Sequence, residues 1–278
     1  MTPADFRIAR PDDLCRILDW AAAEGWNPGL DDAPAFHAAD PDGVFVAEIA
    51  GAPVAAISVV NHCDRLAFLG LYICHPDHRG RGIGFALWTR ALEHAGTRTV
   101  GLDGVAAQEG NYAKSGFVRL GATRRFEGRP EAAEAADVRP FRPDDQERIE
   151  ALDTAANGFE RPAFLSAWLE RTEHRRTLVL HDATGPTGFV TARRCRDGVK
   201  LGPIVAPDAE AALVLIRAAA AAMPEAPVIV DLPSANTALS DRLGGLGFVE
   251  TFATARMYRG APPKATARLQ AIATMELG

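Results

Sequence analysis

The chain has no run of about eighteen apolar residues, so its sequence predicts no membrane-spanning helix and no membrane partner. It has no basic excess either. Lys and Arg number 30 against 36 Asp and Glu, a formal charge of −6, which argues against a nucleic-acid partner. Cysteine is scarce: Cys15, Cys63, Cys74 and Cys195 lie far apart with no C-x-x-C pair. That excludes a disulfide framework or a zinc ribbon and fits reduced thiols in a cytoplasm. Met1 to Arg10 contains Asp5 and no apolar stretch, so it does not read as a secretory signal. Two phosphate-binding signatures are also missing. No Gly-Lys-Ser/Thr triplet supplies a P-loop, and in a dinucleotide fingerprint begun at Gly80 the third glycine would fall on Phe85.

What remains is an ordinary globular composition, 47% hydrophobic and 24% charged over 278 residues, enough for two domains. The most informative stretch is Arg79-Gly80-Arg81-Gly82-Ile83-Gly84, between the apolar run Leu66 to Cys74 and the helical pattern Phe85 to Ala95. Alternate glycines let the backbone turn tightly and bring its N–H groups close to a ligand. The start of the following helix adds free N–H groups and the positive end of its dipole. The combination is an anion cradle, most often for phosphate.

These residues match R-x-x-G-x-G, the pyrophosphate-loop pattern of the GNAT acyl-CoA N-acyltransferases. Downstream, the apolar strand Thr99 to Val105 leads to Tyr112-Ala113-Lys114-Ser115-Gly116-Phe117, which looks like the family's Y-x-K-x-G-F element. Both motifs occur in the family's order, and residues 5–130 resemble a GNAT domain. The resemblance implies an acetyl-CoA cosubstrate held by Arg79, Gly80, Arg81, Gly82, Ile83 and Gly84, by the strand end Tyr72, Ile73 and Cys74, and by Asn111 and Tyr112. It also implies a backbone N–H near Ile73 or Cys74 for the acyl carbonyl, and Tyr112 as the acid beside the departing sulfur. Asn111 has a second reading, as the cap of a short helix.

The chain repeats itself. Arg10-Pro11-Asp12-Asp13 returns as Arg142-Pro143-Asp144-Asp145, and Gly116-Phe117-Val118 returns as Gly247-Phe248-Val249. His75-Pro76-Asp77 faces Ala206-Pro207-Asp208, and the strand around Asp103 faces the strand around Asp231. The offsets are all about 130 residues, so the chain is a tandem duplication. Lobe one is expected over 1–130, with the order β-α-α-β-β-β-α-β-α-β. Lobe two is expected over 137–262, with a linker near Gly128 to Asp137 and a tail over 263–278 of helical propensity. Beyond Asp208 lobe two runs into an alanine-rich helix without the glycines or arginines, and Leu243-Gly244-Gly245-Leu246 holds no tyrosine. The fold class expected is therefore α/β (a mixed α+β sheet) in tandem GNAT-like lobes, each a mainly antiparallel sheet flanked by helices. One acyl-CoA site is expected, wholly in lobe one.

Asp103 is a carboxylate inside an apolar strand, either a catalytic base or the partner of a nearby arginine. Its twin Asp231 weakens the first reading; Glu24 and Glu109 are alternative bases. Glu24, Trp26 and Asn27 lie where the family's first two helices join, beside the acceptor pocket, although Trp26 also reads as a staple for the Pro28-Gly29 turn. Phe159, Arg161 and Trp168 of lobe two are candidate walls. His75-x-x-His78 offers only two ligands, so no metal is expected. The reading is a cytoplasmic acetyl-CoA-dependent N-acetyltransferase, with a primary amine of a small molecule attacking directly. The rival is a non-catalytic acyl-CoA sensor. A monomer with an internal pseudo-dimer, or a weak homodimer, is expected.

Overall fold

The computed structural model describes residues 4–278. Lobe one comprises β1 (Asp5–Ile8), α1 (Pro11–Ala23), α2 (Asp32–Ala39), β2 (Val44–Ile49), β3 (Ala52–Asn61), β4 (Leu66–Cys74), α3 (Ile83–His94), β5 (Thr99–Gly104), α4 (Glu109–Lys114) and β6 (Val118–Gly128). Lobe two repeats the series with β7 (Val138–Pro140), α5 (Gln146–Asn157), α6 (Pro162–Leu169), β8 (Arg175–Asp182), β9 (Gly185–Arg194), β10 (Val199–Val205), α7 (Ala209–Ala222), β11 (Val228–Pro233), α8 (Thr237–Gly245) and β12 (Val249–Arg259). A last strand, β13 (Leu269–Ala271), follows. The order of elements in lobe one is the one the sequence predicts. Among the described residues, no helix is long and apolar enough to cross a membrane.

The duplication reaches individual atoms. Pro11 occupies the first turn of α1, where its fixed φ suits a helix start. The Asp13 carboxylate accepts the Arg10 N–H at 2.7 Å and pairs with Arg7 at 2.6 Å. In lobe two, Asp145 accepts the Arg142 N–H at 2.9 Å and pairs with Arg139 at 2.6 Å.

All the strands join one sheet, in the order β1-β2-β3-β4-β5-β12-β6-β11-β10-β9-β8-β7, with β13 added on β10. The lobes have exchanged their final strands. β12 of lobe two pairs with β5 of lobe one, and β6 of lobe one pairs with β11 of lobe two. β6 and β12 also pair with each other, antiparallel, across the pseudo-twofold axis. Alternation along the strands sends side chains to two faces. Val44, Val46 and Ala56 meet α1 and α2 in a core shared with α5 and α6. Phe45, Ala47 and Ile57 face Leu87, Trp88 and Ala91 of α3, and α7 covers the same side of lobe two.

The expected helical tail is instead a buried strap. Every residue from 269 to 278 is buried. The parallel pairing of β10 with β11 ends at Leu201 and Val230, and β13 fills the gap by pairing with Ile204 and Val205. The Ile272 N–H then donates to the Asp231 carbonyl at 3.0 Å. A strand satisfies the open edge of β10, which a helix would leave without partners.

Candidate active site

β4 and β5 run parallel and pair only from Leu66 and Thr99 as far as Leu69 and Leu102. At that point the β3–β4 register slips, and Leu71 takes a left-handed φ of +47°. This bulge turns the end of β4 away and leaves the Gly70–Cys74 edge without a strand partner. A cavity of about 490 Å³ opens between the splayed strands. Leu71, Tyr72, Ile73 and Cys74 form one wall, and Leu102, Asp103 and Val105 form the other.

At the mouth stands the glycine loop. Gly80 and Gly82 have φ of +73° and +78°, with open space where a Cβ would project. At Gly84 a Cβ would come within 2.9 Å of the Tyr72 hydroxyl. α3 starts at Ile83, two residues before the predicted Phe85, because Gly82 in a left-handed conformation forms its N-cap. The first N–H groups of α3 have no intrahelical acceptor, and the positions of Gly80 and Gly82 beside them stand open. This fits a diphosphate, and the residues from 79 to 84 all line the cavity. Arg79 donates to the Cys74 carbonyl at 2.8 Å and pairs with Glu24.

Tyr112 of α4 also lines the cavity and stacks on Trp88, with ring centroids 5.5 Å apart. Burial, reinforced by Tyr72, pushes its phenol up to about 12, so it stays protonated at neutral pH. Burial also raises the Tyr72 phenol. It raises the Cys74 thiol too, against the pull of Arg79 and Arg81, and so disfavours a cysteine nucleophile.

Not every expected residue converges here. Glu24 and Trp26 line the cavity; Asn27 does not. Its amide turns to lobe two, donating to the Asp197 carbonyl at 2.8 Å and accepting the Asp197 N–H at 3.2 Å. That clasp holds Asn27 in a left-handed φ of +53°, so its role is to join the lobes. Trp26 is braced through its carbonyl by the buried Lys200 at 2.8 Å, and burial, aided by Arg125, lowers the Lys200 pKa. Asn111 is exposed on α4, bonded to Gln108 at 2.8 Å and outside the cavity lining. Glu109 is likewise outside it, and pairs with Arg119.

Asp103 is in the wall but is fully engaged. Its carboxylate is 0% exposed and binds Arg256 through Nε at 3.0 Å and Nη2 at 2.5 Å. Thr123 and Thr254 donate to it at 2.8 and 3.2 Å. Burial acts against the Arg256 charge, yet Asp103 raises its pKa overall. Asp231 and Arg125 form the matching pair, at 2.7 and 2.9 Å. Of the two readings of Asp103, the geometry gives the arginine partner: both carboxylate oxygens are engaged by the Arg256 guanidinium, and Oδ1 also by two hydroxyls, rather than turned to the cavity as a free base.

The cavity also has walls that the sequence did not reveal. Phe252 and Thr254 of β12, Arg125 of β6, and Met275 and Glu276 of the strap all line it. The cavity therefore takes walls from both lobes, while the glycine cradle and Tyr112 belong to lobe one. Phe159, Arg161 and Trp168 take no part. Arg161 pairs with Asp153 in the interior, Trp168 donates to the Gly202 carbonyl at 3.0 Å, and Phe159 packs on Leu66 and Tyr258. Arg125 and Arg256 repeat at the same offset as the other twins, which marks them as a matched pair but not which strand each one joins.

The corresponding place in lobe two is closed. The Asp208 carboxylate caps α7 itself, accepting the Ala211 N–H at 2.9 Å, and β13 fills the cleft between β10 and β11. Among the described residues, no group of three or more His, Cys, Asp or Glu side chains is placed to hold a metal.

Comparison with known proteins agrees with this two-lobe fold. A model of the "Acetyltransferase (GNAT) family" matches residues 12–121, and one of an "Acetyltransferase (GNAT) domain" matches residues 149–271. The holothin acyltransferase of Pseudoalteromonas sp. (strain SANK 73390) is 36% identical over 266 residues, 94% of this chain and 90% of that protein. A crystal structure from Pyrococcus horikoshii superposes with a TM-score of 0.82 at 22% identity, covering 99% of this chain and 96% of that one. A tandem GNAT protein from the clavulanic acid biosynthesis pathway gives 0.60 at 18% identity, covering 95% and 100%.

Proposed function

Because the chain belongs to the GNAT acetyltransferase family, we propose that it is an acetyl-CoA-dependent N-acetyltransferase acting on a primary amine of a small molecule. One observation carries this reading: the glycine cradle and the protonated Tyr112 phenol open into the same cavity. The backbone from Gly80 to Gly84 would hold the pyrophosphate, with Arg81 beside it. The bound acyl-CoA supplies an activated thioester. The free edge of β4 offers N–H groups to the acyl carbonyl oxygen as charge builds on it. Tyr112 gives a proton or hydrogen bond to the departing sulfur. Trp26, Phe252 and Met275 make the acceptor end largely apolar, so the amine belongs to a compact apolar molecule. The name of the Pseudoalteromonas relative supports holothin or a related compound as acceptor. Much of the rate comes from holding amine and thioester in attack geometry. The unpaired cysteines support a reducing, cytoplasmic setting, and the internal pseudo-dimer supports a monomer.

A sensor of acyl-CoA would need the cradle alone, whereas this cavity continues past Tyr112 to walls from both lobes. The test is thiol release from acetyl-CoA against a panel of small amines, with calorimetry of acetyl-CoA binding alongside. Micromolar binding and amine-dependent release are expected. Gly82→Asp, which sets a carboxylate in the cradle, is expected to abolish both. Binding without release for any amine would favour the sensor.

A further inference from the structure

The strap threads from the blocked cleft of lobe two into the working cavity of lobe one, and it brings a carboxylate with it. Glu276 lines the cavity yet is only 6% exposed. Its backbone is pressed against Gly70, where a Cβ would lie 2.1 Å from the Glu276 carbonyl oxygen. That contact fixes Glu276 one residue before Leu71, at the bulge where the strands part. The neighbouring strap is anchored as well. His62 Nε2 lies 2.7 Å from the Leu277 carbonyl, and Arg161 donates to the Gly278 carbonyl at 2.6 Å. Thr274 holds one side-chain oxygen, Oε2. The other, Oε1, accepts no hydrogen bond from the described residues and is not sealed from solvent.

The other carboxylates around the cavity are neutralised by partners: Glu24 by Arg79, Asp103 by Arg256, and Asp231 by Arg125. Glu276 has no such ion pair among the described residues; the cations that face it, Arg125 and Lys200, are held by Asp231 and by the Trp26 carbonyl. Resting on the acyltransfer reading above, we propose that Glu276 is the base that receives the acceptor amine. Its Oε1 accepts an N–H of the amine and takes the one proton the nitrogen must shed on becoming an amide. The C–N bond forms, the C–S bond breaks, and the thiolate is protonated by Tyr112 or water. Glu276 returns its proton to solvent. Lobe two, having lost its own site, thus contributes a catalytic group to the other.

The test uses full-length protein, acetyl-CoA, and two probe amines, benzylamine and aniline, one strongly and one weakly basic. Glu276→Gln is expected to lower kcat by roughly a hundredfold or more. Acetyl-CoA affinity by calorimetry should stay within about twofold, and the melting temperature should be maintained. The loss should appear in kcat, with KM for the amine little changed. Added formate should restore part of the rate to Glu276→Ala, which a merely structural role would not allow. If the native protein transfers to either amine and Glu276→Gln does so equally well, the inference is overturned. If the native protein binds acetyl-CoA but transfers to neither amine, the acceptor reading falls and the inference falls with it.

Discussion

Replacing Asp103 by Asn separates two accounts of this strand. The native carboxylate is fully buried and receives four hydrogen bonds, two from Arg256 and one each from Thr123 and Thr254. Asn retains the shape but leaves the Arg256 guanidinium, 16% exposed, without a counter-charge. Breaking one side of a buried pair costs about 3–5 kcal/mol. In a chain of this size that lowers the melting temperature by roughly 6–20 °C. The decisive variant is the double substitution Asp103→Leu with Arg256→Met, which removes both charges and approximates their volume. It should recover most of the lost stability and, with Asp103 acting as the partner of Arg256 rather than in the chemistry, is expected to keep most of the turnover as well. Differential scanning calorimetry and a thiol-release assay measure the two quantities. A double variant that melts like the native protein but is inactive would refute the reasoning and return Asp103 to the chemistry.

Tyr112→Phe should lower kcat by about ten- to a thousandfold with acetyl-CoA affinity nearly unchanged; an unaltered kcat would make the tyrosine structural. Titration should give one acetyl-CoA per chain, because Asp208 and β13 occupy the second place, and a stoichiometry near two would contradict this. His62 sets an acid limit. Burial, then the charge of Arg161, lowers its pKa from 6.5 to about 4, so neutral imidazole meets the Leu277 carbonyl. Between these values the unfolded chain binds more protons than the folded one. Stability that is complete above pH 6.5 is therefore lost as pH falls towards 4, by up to about 3 kcal/mol. His62→Gln should flatten melting temperature against pH in that window, and an unchanged slope would remove His62 from the account.

The parts of this molecule that were legible in its sequence are those governed by local rules. The glycine loop, the order of elements and the duplication all announce themselves through spacing, because turn geometry and strand or helix periodicity act over short stretches. Asp103 was half legible: a carboxylate in an apolar strand must have a partner, but its partner lies on β12, far along the chain. The exchange of β6 and β12 was hidden because each strand has the same pattern whichever edge it joins. The strap was misread for a related reason. Its alanines and leucines suit a helix, and only the unsatisfied edge of β10 decides for a strand. Asn27, Asn111 and Glu276 show the limit of spacing, since which way a side chain turns depends on neighbours that sequence order does not supply.

The crossing of the final strands makes each half depend on the other for an edge. Cleaving the linker between Gly128 and Val138 is therefore not expected to release two bodies: β6 would stay clasped between β12 and β11. A gene for residues 1–130 alone would leave β5 bare, and a second copy would be needed to cover it with its own β6. Such a product is expected to be a reciprocal homodimer, with two cradles and two identical fates. In a homodimer every substitution occurs twice, so a change that closes one cleft closes both. Joining the copies into one chain removes that constraint. One half is free to keep its anion loop, while the other surrenders its cleft and sends the displaced segment across to its sibling.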